Sequence, residues 1–111
     1  DLQRREADGR KIYEYVGDFA TRAAEEGCAT DVGLVVGLTN AGGEVLGGLP
    51  DVPLLIPGLG AQGGDLSALR NAGRKAPNVV NVSRGVLYGD VAGSTGARAD
   101  HYATEISAAM D

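Results

Sequence analysis

From Ile12 onward, apolar residues recur at Ile12, Tyr15, Val16, Phe19, Ala20 and Ala23. That i, i+3, i+4, i+7, i+8 spacing gathers them on one helical stripe. It predicts a helix that starts upstream near Leu2, breaks or bends around Gly9 and ends at Gly27, where glycine takes the left-handed C-terminal geometry without a Cβ penalty. Three short, largely unbroken apolar runs follow, over residues 33–38, 52–57 and 78–83. Such runs mark strands buried on both faces, whereas half-exposed strands alternate. Between the second and third runs, Leu66 and Leu69 share one side of residues 65–72 and Asp65 is placed to cap, which predicts a helix of about two turns. A last amphipathic stretch over 97–110 spaces Tyr102, Ile106 and Met110 four apart and is expected against the outside of the sheet. The order is helix, strand, strand, helix, strand, helix.

Residues 40–51 give the roughly one dozen positions that a crossover between parallel neighbours requires. Four glycines within 40–49 restrict any helix there to one turn around Glu44-Val45-Leu46. Right-handed β-α-β units are the consistent topology. The expected fold is α/β, with parallel strands and outer helices. Three strands and their helices neither close a barrel nor cover both faces of a sheet, so exposed apolar edges are expected. Dimerisation or a missing N-terminal portion would cover them.

Composition narrows the picture. Eighteen glycines in 111 residues are more than twice the usual share of about 7%, yet they have no collagen period and only four prolines beside them. No apolar run approaches the ~20 residues of a membrane span, so no membrane association is expected. The single Cys28 excludes an internal disulfide and leaves no Cys/His cluster for a structural metal, which fits a reducing, cytoplasmic setting. Fifteen acids against ten bases, a net charge of -5, argue against a nucleic-acid partner. Any bound anion must be gripped locally. The chain opens Asp1-Leu2-Gln3, with neither an initiator Met nor an apolar secretory segment, and reads as a piece of something longer.

The stretch from Pro57 through Gly58-Leu59-Gly60-Ala61-Gln62-Gly63-Gly64 to Asp65 joins a buried strand to a helix start with almost no side chains to hold a ligand away. Bare amides in such a turn attract anions. Gly58, Gly60 and Gly63 also satisfy the G-x-G-x-x-G dinucleotide pattern. That pattern needs a carboxylate about 20 residues further on to hold a ribose hydroxyl, but the next strand ends Asn81-Val82-Ser83-Arg84. What stands there is a cation. Arginine's planar fork suits a phosphate dianion, and two successive strand ends giving Gln62 and Arg84 match the phosphate site after strands seven and eight of a (β/α)8 barrel. A phosphomonoester is the favoured ligand. The plainer alternative is a glycine turn that serves only close packing and an arginine that is merely solvated. His101 reads as a residue on a wet helix face, Cys28 as a small filler, Tyr13 and Tyr15 as packing residues, Glu25-Glu26 as a solvated helix end, and residues 8–11 as a charged turn.

The words GLVVGLTN, PLLIPGLGAQGGD and NVVNVSRGVLYGD, in that order, resemble the sixth, seventh and eighth strand segments of the orotidine 5'-phosphate decarboxylases. The opening DLQRREADGRKIYEYVGDFA resembles the helix after the fifth strand in the longer bacterial branch of that family. The resemblance covers essentially the whole chain and implies the C-terminal part of a single (β/α)8 TIM barrel domain over residues 1–111. It implies that Gln62 and Arg84 hold the substrate's 5'-phosphate, helped by amides near Gly63 and Ser83, while Pro57 and Leu59 lie by the pyrimidine. It further implies a cofactor-free lyase of pyrimidine biosynthesis that releases carbon dioxide from orotidine 5'-phosphate to give UMP, through a C6 carbanion protonated by a lysine. Homodimerisation, or association with the missing half, follows by the same resemblance.

The family's Asp-x-Lys-x-x-Asp array is absent, and Lys11 and Lys75, the only lysines, stand in Gly-Arg-Lys contexts that do not match it. No catalytic residue is assigned, and the chain alone is expected to be inactive. The sixth crossover also departs from the family's Pro-Glu and acidic helix, carrying AGGEVLGGL instead. Two other readings remain: a non-catalytic phosphate-binding half-barrel that dimerises, and a nicotinamide-dinucleotide unit.

Overall fold

A computed structural model describes residues 4–27, 32–37, 39, 41–59, 66–70, 73–90 and 92–110. Its amino-terminal region corrects the first expectation. The helix does not reach upstream toward Leu2: Glu6–Ala7 (β1) and Arg10–Lys11 (β2) pair antiparallel, and α1 begins only at Ile12, running to Glu25. Asp8 and Gly9 turn the hairpin with φ of 51° and 76°, the left-handed pair that a tight two-residue hairpin demands and that Asp-Gly supplies. Lys11 then pairs with Glu6, and the Glu14 carboxylate accepts from the Lys11 amide at 2.7 Å, which satisfies one of the helix's orphan donors. Tyr15 donates its hydroxyl to the Ala7 carbonyl at 2.9 Å and Arg10 lies over its ring, so it ties helix to hairpin. At the other end Gly27 has φ of 71°, as the C-terminal signal required.

Leu34–Val35 (β3), Leu54–Pro57 (β4) and Asn78–Asn81 (β5) form a parallel sheet in the order β3-β4-β5. The crossovers carry Gly43–Gly47 (α2) and Ser67–Arg70 (α3). α2 is the single short turn that its glycines allow. The described part of α3 is one turn, shorter than the two expected; Asp65, Asn71 and Ala72 lie outside the described residues. After β5 the chain adds Arg84–Tyr88 (α4), a helix that the predicted order of elements does not contain, and then Thr95–Met110 (α5).

The sheet buries one face, not two. Leu54 and Ile56 pack with Leu46 of α2, Leu59, Leu66, Leu69 of α3 and Ala109 of α5, and Leu34, Val36, Val80, Val82, Tyr102 and Ile106 close around them. All the strand residues in this cluster share one parity, so α2, α3 and α5 sit on one side. The alternate residues Val35, Leu55 and Val79 are exposed, Val35 by 69%. The unbroken runs therefore have the composition of doubly covered strands, while among the described residues only one layer covers them. Ala109, not Met110, provides the buried contact at the end of α5, because one position of rotation turns Met110 outward. α1 likewise shows Phe19 68% exposed. It approaches the β4 entry loop through Gly17, where a Cβ would lie 2.6 Å from Pro50 Cδ.

Two polar anchors, the buried side chain of Arg74 and the exposed Asp51, hold the loops at the N-terminal edge of the sheet. Arg74 donates to the carbonyls of Pro50 and Val52 at 2.9 and 2.6 Å. Asp51 accepts from the amides of Ala76 and Lys75, which hold its carboxyl below the ordinary value of 3.8.

Candidate functional site

Parallel pairing in register, with Pro57 beside Asn81, brings the ends of β4 and β5 out at the same edge of the sheet. From β4 the chain turns at Gly58, whose φ of 94° favours glycine. It then buries Leu59 in the hydrophobic cluster, while Pro57 stays half-buried at the strand end. From β5 it passes Val82 and Ser83 into α4, whose first residue is Arg84. Pro57, Leu59, Ser83 and Arg84 are thus gathered at one edge. Gln62 and Gly63 fall at 60–65, outside the described residues.

Arg84 is exposed, and its guanidinium makes no hydrogen bond or ion pair among the described residues. The Ser83 hydroxyl accepts from Asn81 Nδ2 at 3.3 Å, and the Ser83 carbonyl accepts from the Leu87 amide at 3.0 Å. An arginine held at a strand end without a carboxylate partner offers its full fork to an anion. Resolved pKa shifts lie on other segments: Asp18 is lowered by its hydrogen bond from Arg10, Arg10 is raised by the same bond, and Lys11 is raised by Glu6.

Neither lysine reaches this edge. Lys11 is paired with Glu6 on the hairpin, and Lys75 stands in the loop that enters β5, at the opposite end of the strand. His101 lies on the exposed side of α5, edge-on to Tyr102 and 3.9 Å from Glu105, as a wet helix face would place it. Cys28 lies outside the described residues. No group of three or more His, Cys, Asp or Glu among the described residues could hold a metal ion. No helix among them is long and apolar enough to cross a membrane.

Sequence reasoning missed Arg98. Its guanidinium donates to the carbonyls of Val86 at 2.6 Å, Gly93 at 2.7 Å and Leu87 at 3.2 Å, and to the Thr95 hydroxyl at 3.3 Å. The signal was present as a cation four residues before Tyr102, on the buried side of α5.

A parallel sheet with outer helices on one face, and with successive strand ends opening at one edge, is part of a (β/α)8 barrel, the α/β class expected from the sequence. No protein-family model matches the chain. It is 43% identical over 95 residues to the orotidine 5'-phosphate decarboxylase of Cupriavidus metallidurans and 42% over 96 residues to that of Dechloromonas aromatica, in each case 79% of this chain and 34% of the relative. Against the enzyme of Roseiflexus castenholzii the identity is 44% over 96 residues, 81% of this chain and 35% of that one. A solved structure of Leishmania donovani UMP synthase superposes with a TM-score of 0.78 at 34% identity, covering 99% of this chain and 25% of that one. The chain is a relative of the orotidine 5'-phosphate decarboxylases, and it spans about a third of the length of the curated relatives it matches.

Proposed function

We propose that this chain supplies the phosphate-binding strand ends of an orotidine 5'-phosphate decarboxylase, with orotidine 5'-phosphate or UMP as the nucleotide held. The observation that carries the reading is the Arg84 guanidinium just past the end of β5, without a partner among the described residues, at the sheet edge where β4 leads into the loop of Gln62. In this reading Gln62 and Arg84 bind the 5'-phosphate, and amides near Gly63 and Ser83 add donors. Pro57 and Leu59 lie by the pyrimidine, with Leu59 also anchoring the loop from the core. Binding energy from a phosphate remote from the reacting carbon supports turnover as well as affinity.

The chain by itself is inactive in this proposal, because the proton donor for the C6 carbanion must come from another segment. The placement of both lysines away from the strand ends supports that. The whole enzyme is a cytoplasmic, cofactor-free lyase, assembled as a homodimer or with the remaining part of its barrel.

Titration of UMP into the chain tests the reading. Arg84→Ala removes charge-assisted hydrogen bonds of about 1.5–3 kcal/mol, so binding should weaken about 10- to 100-fold. Equal affinity of the two proteins would overturn the proposed grip, and carbon dioxide release by the chain alone would overturn its inactivity. The bare face of Val35, Leu55 and Val79 favours a second reading, a non-catalytic phosphate-binding half-barrel that dimerises through it. Sedimentation showing a monomer at all concentrations excludes it.

A further inference from the structure

α5 meets α4 at two points one turn apart. At the first, Arg98 holds the Val86 and Leu87 carbonyls, acceptors that the last turn of a helix leaves without intrahelical partners. The same guanidinium also takes the Gly93 carbonyl from the loop between the two helices. At the second, the Tyr102 side chain lies against Gly85, where a Cβ would come within 2.5 Å of the hydroxyl oxygen and 2.8 Å of Cζ. Gly85 is buried and directly follows Arg84.

A helix of five residues is not stable by itself, since nucleation is costly and few bonds follow it. Its position is set by what it packs against. The Arg84 side chain finds no partner among the described residues, so the place of its guanidinium is inherited from the backbone of α4. From this geometry we infer that Arg98 and Tyr102 are positioning residues for Arg84: a two-point clamp on α5 that presents the Arg84 fork at the end of β5. The inference rests on the reading of Arg84 as a phosphate ligand.

The test combines UMP titration with backbone 15N order parameters of the 111-residue chain. Arg98→Met should lower UMP affinity about tenfold with far-UV circular dichroism unchanged, and Arg98→Lys should lower it less. In an Arg84→Ala background, Arg98→Met should have no further effect, which a general loss of folded protein would not reproduce. Gly85→Ala should weaken binding about tenfold, and Tyr102→Leu added to it should restore most of the loss. If Arg98→Met unfolds the chain, Arg98→Lys and the Gly85→Ala/Tyr102→Leu pair decide the matter.

Wild-type affinity in both Arg98→Met and Gly85→Ala, alongside a weakened Arg84→Ala, overturns the clamp. If wild type and Arg84→Ala bind alike, the phosphate reading fails and the order parameters judge the clamp independently. The Arg84 amide should fall from about 0.85 to below about 0.6 in Arg98→Met; an unchanged value overturns the clamp.

Discussion

Replacing Arg74 by methionine keeps most of the side-chain stem and removes the charged fork. Arg74 donates to two carbonyls of the loop that enters β4, those of Pro50 and Val52, and its side chain is only 4% exposed. Each hydrogen bond from a charged donor is worth about 1.5–3 kcal/mol, so their loss costs about 3–6 kcal/mol. Arg74 Nε, however, is buried without a partner, and relieving an orphaned donor returns about 1–2 kcal/mol. The contact with Asp51 at 3.8 Å is half in solvent and adds little. The net expectation is a loss of about 2–4 kcal/mol, a large part of the ~5–15 kcal/mol that holds a domain together. Urea titration followed by far-UV circular dichroism measures it. With a slope of about 1–3 kcal/mol per molar, the midpoint should fall by roughly 1–2 M. Arg74→Lys should recover only part of this, because one ammonium does not reproduce a planar fork. A midpoint for Arg74→Met within a few tenths of a molar of wild type would refute the assignment of Arg74 as the staple of the β4 entry.

Two further expectations follow from the same edge and from the sheet. Asp51 is held below 3.8 by the Ala76 and Lys75 amides, so the stability it contributes is present above that value and is lost as pH falls through its lower folded value; Asp51→Asn should flatten this acid limb in pH-dependent unfolding, and an unchanged limb would rule the linkage out. Leu54→Ala, at 2% exposure, should cost about 2–5 kcal/mol, whereas Val79→Ala on the bare face should cost less than about 1 kcal/mol; equal losses in denaturant titrations would mean that the second face is covered in solution.

Periodicity and spacing made the parallel order of the three strands, the Gly27 stop of α1 and the last helix legible, because each depends on local pattern. The charged turn at residues 8–11 was legible but the hairpin it closes was not, because a bend at Gly9 is equally compatible with a helix continuing upstream, whereas both Asp8 and Gly9 at positive φ turn the chain back on itself. One-sided burial of the sheet was hidden for a different reason: Val35, Leu55 and Val79 have the composition of covered residues, and composition does not report how many layers a chain brings with it. Of the candidate site, the position of Ser83 and Arg84 just past the end of β5 could be read from the motif. The role of Arg98 could not, since its partners are backbone carbonyls and carry no side-chain signature.

The helical turn in the crossover between β3 and β4 reaches the core through one fully buried side chain. Within α2 only Leu46 is buried, and glycines stand at both caps. Glu44 and the glycines of that turn are exposed and Val45 is half-buried, so the exposed positions are free to drift so long as the leucine persists. The same freedom makes it a permissive acceptor for grafted material: an epitope or a fluorophore inserted after Gly47 should leave the sheet and both strand ends undisturbed.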